Sequence, residues 1–448
     1  MKLTLIRPCM GARERRYQEQ RMEPLQLAVL ASLTPPDVET TLFDERLESV
    51  RFDTPADLVA ITVETFTARR AYEIADEYRL RGVPVILGGL HPTLVPEEAA
   101  GHADSVYTGD AEDLWGQVIE DARQGRLRPR YDARRGFFRA GLVTDRSLLK
   151  CKRYLPISLV QFGRGCPFNC TFCATGAFFS RHHECRGIVD VIDELRALDP
   201  RKFVILVDDN LVAEPKPAKE FFRLLKPLRL RWAAQVSANV AQDPELLELM
   251  AEAGCYGFLV GFESLHADTL LAMKKNQNLV GFDRYRRHVE LFRQYGFMIW
   301  AAFTLGHDSD TLERIEETTE FAIENRFAFA AFNILIPYPG TRLYASLAEQ
   351  GRLLYDGAWW LHPDYRFNYA AFRPQQMTAD ELTAAVFRAQ ERFYSYPSIL
   401  RRGFDFRTNM GSPAKFLIHF PYNVMFRKTV YDIQGMQFGA HGHAEAAA

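Results

Sequence analysis

Two successive series of short apolar runs alternating with amphipathic stretches, split by an arginine-rich interval, restrict what this chain can fold into. In the first series, residues 3–6, 40–43, 58–62, 85–87 and 105–107 have strand character. Residues 67–81 predict a helix, with Ala71, Ile74, Ala75 and Tyr78 on one face and Arg69, Arg70, Glu73 and Glu77 elsewhere. Such alternation predicts a doubly wound parallel sheet covered on both faces, whose ligand crevice lies beyond the carboxyl ends of its strands. The loops that matter are then 8–22, 63–66, 88–92 and 109–112. The second series predicts strands at 158–162, 203–207, 232–236, 258–260, 299–305 and 328–336, with helices at 188–198, 218–225, 244–253, 282–295 and 311–325 between them. Six such units predict a partial (β/α)6 barrel with its chemistry at the strand C-terminal ends. The whole is an α/β protein: residues 1–123 form a first domain, 124–150 a linker, 151–340 the barrel, 341–438 a mostly helical C-terminal region, and 439–448 a disordered tail.

A chain of 448 residues exceeds what one core ordinarily serves. With 47% hydrophobic and 25% charged residues it reads as globular, and 55 basic against 57 acidic side chains give no global field to draw in nucleic acid. Arg126, Arg128, Arg130, Arg134, Arg135 and Arg139 crowd the linker, but no aromatic stacking pattern accompanies them, so a solvated segment accounts for them better than a nucleic-acid patch. The longest nearly uncharged stretch, 327–340, is short of the ~20 apolar residues a membrane span requires. The start, Met1-Lys2 and a brief apolar run followed by charge, does not resemble a signal peptide, so a cytoplasmic protein is expected. Seven cysteines, an odd and sparse set, do not make a disulfide framework.

Three of those cysteines, Cys166, Cys170 and Cys173, fall together on the loop after the first strand of the second series, opened by Gly163-Arg164-Gly165. Thiolates suit zinc or iron-sulfur clusters, and structural zinc would need a fourth ligand, for which Cys185, His182 and His183 are candidates. Without a second cysteine pair, one metal position stays open, which suits catalysis better than a structural staple; an iron-sulfur or zinc scaffold is the non-enzymatic alternative.

The Cys-x-x-x-Cys-x-x-Cys spacing, with aromatic Phe172 before the third cysteine and a β/α barrel behind it, resembles the radical S-adenosylmethionine superfamily. The resemblance implies that Cys166, Cys170 and Cys173 hold a [4Fe-4S] cluster, whose fourth iron takes S-adenosylmethionine for reductive cleavage to a 5′-deoxyadenosyl radical. It implies a TIM-like barrel in which Asp208 or Asp209 replaces a Gly-Gly-Glu signature for the methionine amino group. It also places Ser237, Asn239 and Glu263 at the methionine carboxylate and ribose, and Gly306 with Pro337, in the run 334–340, at the adenine. A buried carboxylate such as Glu263 needs donors, and ribose hydroxyls would supply them. An external one-electron reductant such as flavodoxin or ferredoxin is implied as partner.

The first series resembles the Rossmann-like cobalamin-binding domain of one large class in that superfamily, through Glu23-Pro24-Leu25-Gln26-Leu27, 57–62, Gly88-Gly89-Leu90-His91-Pro92-Thr93 and 107–112. Gly88, Gly89 and Gly109 would let backbone approach a flat macrocycle. No Asp-x-His-x-x-Gly pattern occurs, so the resemblance implies cobalamin without a protein histidine ligand, with His91 a candidate neighbour. The activity implied is methyl transfer to an unactivated carbon of a small substrate, with radical oxidative cyclisation or rearrangement as the alternative. The class includes hopanoid methylases and anaerobic tetrapyrrole cyclases, which favours a hydrophobic substrate. Residues 359–372 and 404–426, rich in aromatics, are expected to cap the barrel mouth, although plain core is the commoner use of such residues. Peripheral membrane contact is open for a lipid substrate, but no segment carries the basic amphipathic signature.

Overall fold

The computed structural model describes residues 1–11, 21–150, 152–279 and 282–439, without the side chains of 282–284. Cys151, most of the loop 8–22 and the tail beyond Gly439 lie outside the described residues.

The first sheet comprises β1 (Lys2–Arg7), β2 (Glu39–Asp44), β3 (Leu58–Thr62), β4 (Val85–Gly88), β5 (Ser105–Thr108) and β6 (Arg130–Asp132). All are parallel, in the order β2-β1-β3-β4-β5-β6, so the direction of winding reverses between β1 and β3. One face is covered by the helix Ala68–Leu80, whose Ala71, Ile74, Ala75 and Tyr78 are buried as the periodicity predicts. The other face is covered by the helices Leu25–Leu33 and Ala111–Arg123.

β6 corrects the reading of 124–150 as linker alone: Tyr131 is buried against the sheet and extends it by a sixth strand. The arginines around it are exposed and paired, Arg128 with Asp121 at 2.9 Å, Arg130 with Asp132 at 2.7 Å and Arg134 with Asp113 at 2.9 Å. These acids neutralise the cations locally, as expected of a solvated face.

In the second part β7 (Ile157–Val160) is followed by an antiparallel ribbon, β8 (Gly163–Gly165) with β9 (His183–Cys185), which brackets the cysteine loop. Then come β10 (Phe203–Leu206), β11 (Trp232–Val236), β12 (Cys255–Glu263), β13 (Met298–Leu305) and β14 (Phe329–Ile334). The parallel order β7-β10-β11-β12-β13-β14 follows the sequence and leaves β7 and β14 as open edges, giving a partial (β/α)6 barrel. The intervening helices bury Ile192, Phe221, Leu247, Tyr285 and Phe321 in one continuous core.

The C-terminal region departs from the expected cap. Trp359, Trp360 and Tyr365 are buried in the same core as Val59 and Leu87 of the first sheet and Tyr72 of the helix that covers it. Trp359 donates its indole N–H to the Pro337 carbonyl at 3.0 Å, so the segment ties the end of the barrel to the first domain. The helices Ala379–Phe393, Tyr396–Gly403 and Pro413–Ile433 pack along β13 and β14 and the helix Leu312–Glu324. Among the described residues no helix is long and apolar enough to cross a membrane.

Candidate functional site

The carboxyl ends of both sheets face one cavity of about 530 Å³. Its first wall comes from Leu25 and Gln26, Thr62 and Glu64 beyond β3, Gly88 and Gly89 beyond β4, and Gly109 to Glu112 beyond β5. Its second wall comes from Gln161, Arg164, Thr175, Phe178 and Phe179 around the cysteine loop, with Val207 and Asp209 beyond β10.

The glycines of the first wall answer first to the chain itself. Gly89 has φ +108°, and a Cβ there would stand 3.0 Å from the Val63 carbonyl oxygen; at Gly109, φ +84°, it would stand 2.3 Å from that of Ala133. Side chains are excluded on the protein side, and the bare backbone is what the cavity meets. His91 lies elsewhere. It is wholly buried, with Nε2 2.9 Å from Glu98 and Nδ1 3.3 Å from the Thr65 hydroxyl, and it lines no part of the cavity.

On the barrel side the cysteine loop is fixed by carboxylates. Asp208 accepts the backbone N–H groups of Phe162 at 2.8 Å and Gly163 at 2.7 Å, one on each oxygen. Asp209 accepts the Gly165 N–H at 2.8 Å and the Thr175 hydroxyl at 3.0 Å. Both predicted residues are therefore engaged in shaping the loop, and only Asp209 lines the cavity. The loop is tied further by the Thr171 N–H on the Met273 carbonyl and by the Leu343 N–H on the Thr171 carbonyl.

Cys166, Cys170 and Cys173 are half-buried and free. Burial pushes the Cys166 thiol up to about 11, and the negative charges of Cys173 and Cys170 push the same way. Burial also raises Cys170, opposed by the Lys275 ammonium. Three adjacent sulfurs, of which Cys166 and Cys170 resist ionising, with a cation at hand, fit a metal cluster that replaces their protons. The other candidate ligands are engaged: His183 with Glu214 at 3.0 Å and His182 with Glu184 at 3.3 Å. Cys185 sits among the acids Glu214, Asp208 and Glu184, where burial first and those charges second push its thiol up to about 12. Among the described residues no three such side chains converge around a single ion.

Glu263 ends β12 with φ +64°, at a register shift between Gly261 and Glu263. A non-glycine residue in this region is strained, and its side chain is held on both oxygens, by Lys275 Nζ at 2.7 Å and the Thr304 hydroxyl at 2.6 Å. Burial works against the charge of Lys275, but Glu263 and the sulfurs of Cys170 and Cys173 raise its pKa nonetheless. Gln277 Nε2 donates toward Cys170 Sγ at 3.9 Å. Ser237 donates to Asn239 Oδ1 at 2.5 Å, and its N–H bonds Asn210 Oδ1 at 3.2 Å. The Asn210 Nδ2 is buried without a partner.

Phe172 packs against the barrel core and meets His307 edge to face, ring centroids 6.3 Å apart. Burial keeps His307 neutral, below the usual histidine range, and leaves its Nε2 without a partner. Gly306, φ +104°, is required by close packing: a Cβ would stand 2.5 Å from Leu382. Pro337 offers its carbonyl to Trp359.

Lys275, Gln277, His307, Thr304, Asn210 and Arg164 are thus site residues that the sequence reading did not name as such. The first two follow a turn after Met273 that carries no periodic signal, and His307 stands one residue beyond the predicted Gly306.

Residues 160–322 match the Radical SAM superfamily. The bacteriochlorophyllide d C-8(2)-methyltransferase of Chlorobaculum tepidum is 34% identical over 348 residues, 73% of this chain and 76% of that protein. The chain belongs to the radical S-adenosylmethionine superfamily of enzymes, whose members use a [4Fe-4S] cluster and S-adenosylmethionine. A second relative, the bacteriochlorophyllide d C-12(1)-methyltransferase of the same organism, is 30% identical over 396 residues, 85% of this chain and 84% of that protein. The structure of the radical S-adenosylmethionine methyltransferase TsrM from Kitasatospora setae, with cobalamin and a [4Fe-4S] cluster bound, shares the fold at TM-score 0.64 and 16% identity, over 96% of this chain and 99% of that one.

Proposed function

We propose that this chain is a cobalamin-dependent radical C-methyltransferase acting on an unactivated carbon of a small hydrophobic substrate. The observation that carries the reading is the shared cavity, into which a glycine-edged strand-end crevice and the cysteine-loop end of the barrel both open. When bound, the cluster with S-adenosylmethionine supplies a 5′-deoxyadenosyl radical, and cobalamin supplies a methyl group.

The protein's own residues supply position. Cys166, Cys170 and Cys173 would hold the cluster on a loop that Asp208 and Asp209 tie down. Glu263, held by Lys275 and Thr304, presents a fixed carboxylate to ribose hydroxyls, and Asn210 and His307 bring unpartnered polar atoms for the rest of S-adenosylmethionine. Gly88, Gly89 and Gly109 would offer bare backbone to the face of the corrin, while His91 is engaged with Glu98 and lines no part of the cavity. The substrate class taken from the two relatives is a bacteriochlorophyllide-type macrocycle. Flavodoxin or ferredoxin in the cytoplasm provides the electron.

The test is anaerobic purification, cluster reconstitution and mass spectrometry with a tetrapyrrole panel. Bound cobalamin, 5′-deoxyadenosine, S-adenosylhomocysteine and a product heavier by one methylene unit are expected, all but cobalamin abolished by Cys170→Ala. Deoxyadenosine with a cyclised, unmethylated product would replace methyl transfer by oxidative cyclisation. Zinc retained without any cleavage would sink the reading altogether.

A further inference from the structure

The helical layer at 396–433 lies against the N-terminal ends of β13 and β14, where Ile418, Tyr422 and Phe426 cover Met298, Ala328 and Phe329. This is the end of the barrel opposite the cysteine loop, so nothing at this layer belongs to the site. Its outer side is unusually apolar. Leu400 on the helix Tyr396–Gly403 is 50% exposed, Phe404 just beyond it 57%, Phe406 73%, and Leu417 on the helix Pro413–Ile433 63%.

The two helices that carry Leu400 and Leu417 pack against each other. Gly403 lies so close to Phe420 that a Cβ there would stand 2.5 Å from its ring, and Phe420 packs on Phe416 at 4.8 Å. At the other end of the helix pair, the Arg427 guanidinium covers Tyr396 at 4.9 Å and Tyr431 at 5.0 Å. Exposed apolar side chains gathered on one helix pair mark an interaction site.

Charge selects the occupant. Over the layer at 396–433 the chain carries Arg401, Arg402, Arg407, Lys415, Arg427 and Lys428 against two acids, Asp405 and Asp432, in a protein whose net charge is −2; of these cations Arg402 is buried and Arg407 pairs with Glu290 at 2.6 Å. Asp405 is buried and paired with Arg293 at 3.1 Å, so it presents no negative charge outward. Arg401 and Lys428 are exposed, beside the apolar side chains. Exposed aromatic and aliphatic side chains interleaved with an excess of cations complement an anionic interface that is apolar just beneath its charge.

We propose that this helical pair docks on the surface of an anionic lipid bilayer, inserting Leu400, Phe404, Phe406 and Leu417 among the acyl chains while Arg401 and Lys428 meet the headgroups. The sequence conceals this because the amphipathic pattern is divided between two helices. The longer one is apolar on its packed side as well, which cancels the one-sided stripe expected of a membrane-surface helix. The inference is independent of the methyl-transfer reading, since the docked face lies away from the shared cavity.

The test is flotation of the full chain with phosphatidylcholine vesicles, with and without phosphatidylglycerol, at low and high salt. Partition onto the anionic vesicles about tenfold above the neutral ones is expected, falling with salt. The triple variant Leu400→Ser, Phe404→Ser, Leu417→Ser should lose binding about tenfold or more while its thermal unfolding and S-adenosylmethionine cleavage stay unchanged, because all three positions are exposed. Arg401→Glu with Lys428→Glu, which leaves the apolar side chains in place, should remove the salt-sensitive part. Flotation unaffected by both variants, or none on either vesicle, overturns the proposal. Concentration-dependent self-association that the triple variant abolishes, without vesicle binding, assigns the surface to a second copy and equally overturns it.

Discussion

At the level of single residues, the site rests on side chains held against their own preferences. Glu263 occupies left-handed backbone, and its carboxylate is largely buried with the Lys275 ammonium at 2.7 Å. Removing that cation by Lys275→Met strands a buried negative charge, which costs about 3–5 kcal/mol where such pairs have been broken. Denaturant unfolding should show a loss of that order, and S-adenosylmethionine affinity should fall with it. The double variant Glu263→Gln, Lys275→Met should cost clearly less than the two single changes added together, because it leaves no charge uncompensated. An additive double variant would mean that the two side chains do not act as a pair. The cysteines were legible in the sequence because their geometry is a matter of one loop and its spacing. Lys275 was not, because it reaches Cys170 and Glu263 only through the turn that Met273 fixes against Thr171.

Secondary elements were legible where burial imposes a period, as in Ala68–Leu80 and Leu312–Glu324, and illegible where it does not. β6 buries only Tyr131 between exposed Arg130 and Asp132, and β8 is two glycines around an arginine, so neither has an apolar signal. The aromatic segment at 359–372 takes the commoner use of such residues, plain core, but its rings complete the core of a domain far away in sequence, which composition alone does not indicate. The helix Pro413–Ile433 carries a testable pH dependence. His419 is fully enclosed, its Nε2 facing the Ile399 carbonyl at 3.3 Å and its Nδ1 facing Asn423 at 3.3 Å, an arrangement for a neutral ring. Burial first, and the charge of Arg402 second, push its pKa down from 6.5 to about 4. The unfolded chain therefore binds a proton that the folded layer refuses. This stability is fully present above about pH 6.5 and is lost as pH falls toward 4, by up to about 3 kcal/mol. Hydrogen exchange across 413–433 should quicken in that window in the native protein, and in His419→Gln it should become independent of pH after correction for intrinsic exchange.

The molecule as a whole works only if its two sheets keep their carboxyl ends on one cavity, and a few polar clamps set that relation. Glu23 of the first domain accepts the Leu159 N–H at 2.9 Å and pairs with Arg146 at 3.1 Å. Trp360 bonds Glu98 at 3.1 Å from the far side. The clamp that touches the cavity itself is Arg164, which reaches from β8 to Asp110 at 3.2 Å and Glu112 at 2.8 Å while stacking on Phe138 at 3.9 Å. Burial already raises Asp110, assisted by the charge of Glu112 and opposed by Arg164 and by the Phe137 and Gly136 N–H groups. Arg164→Leu should therefore do more than delete a contact. Two buried acids would face each other without a cation, and the walls should separate or take up protons, at a cost again of about 3–5 kcal/mol. Calorimetry should then resolve the first domain as an earlier transition, and if cobalamin binds as proposed, the variant should lose it on gel filtration. Adding Glu112→Gln removes one of the stranded charges and should recover part of the stability, but the cation that shapes the cavity would still be missing. If the double variant regains stability and also retains cobalamin, Arg164 serves only to neutralise Glu112. Stability without cobalamin would instead show that domain closure and cofactor retention share the same side chain.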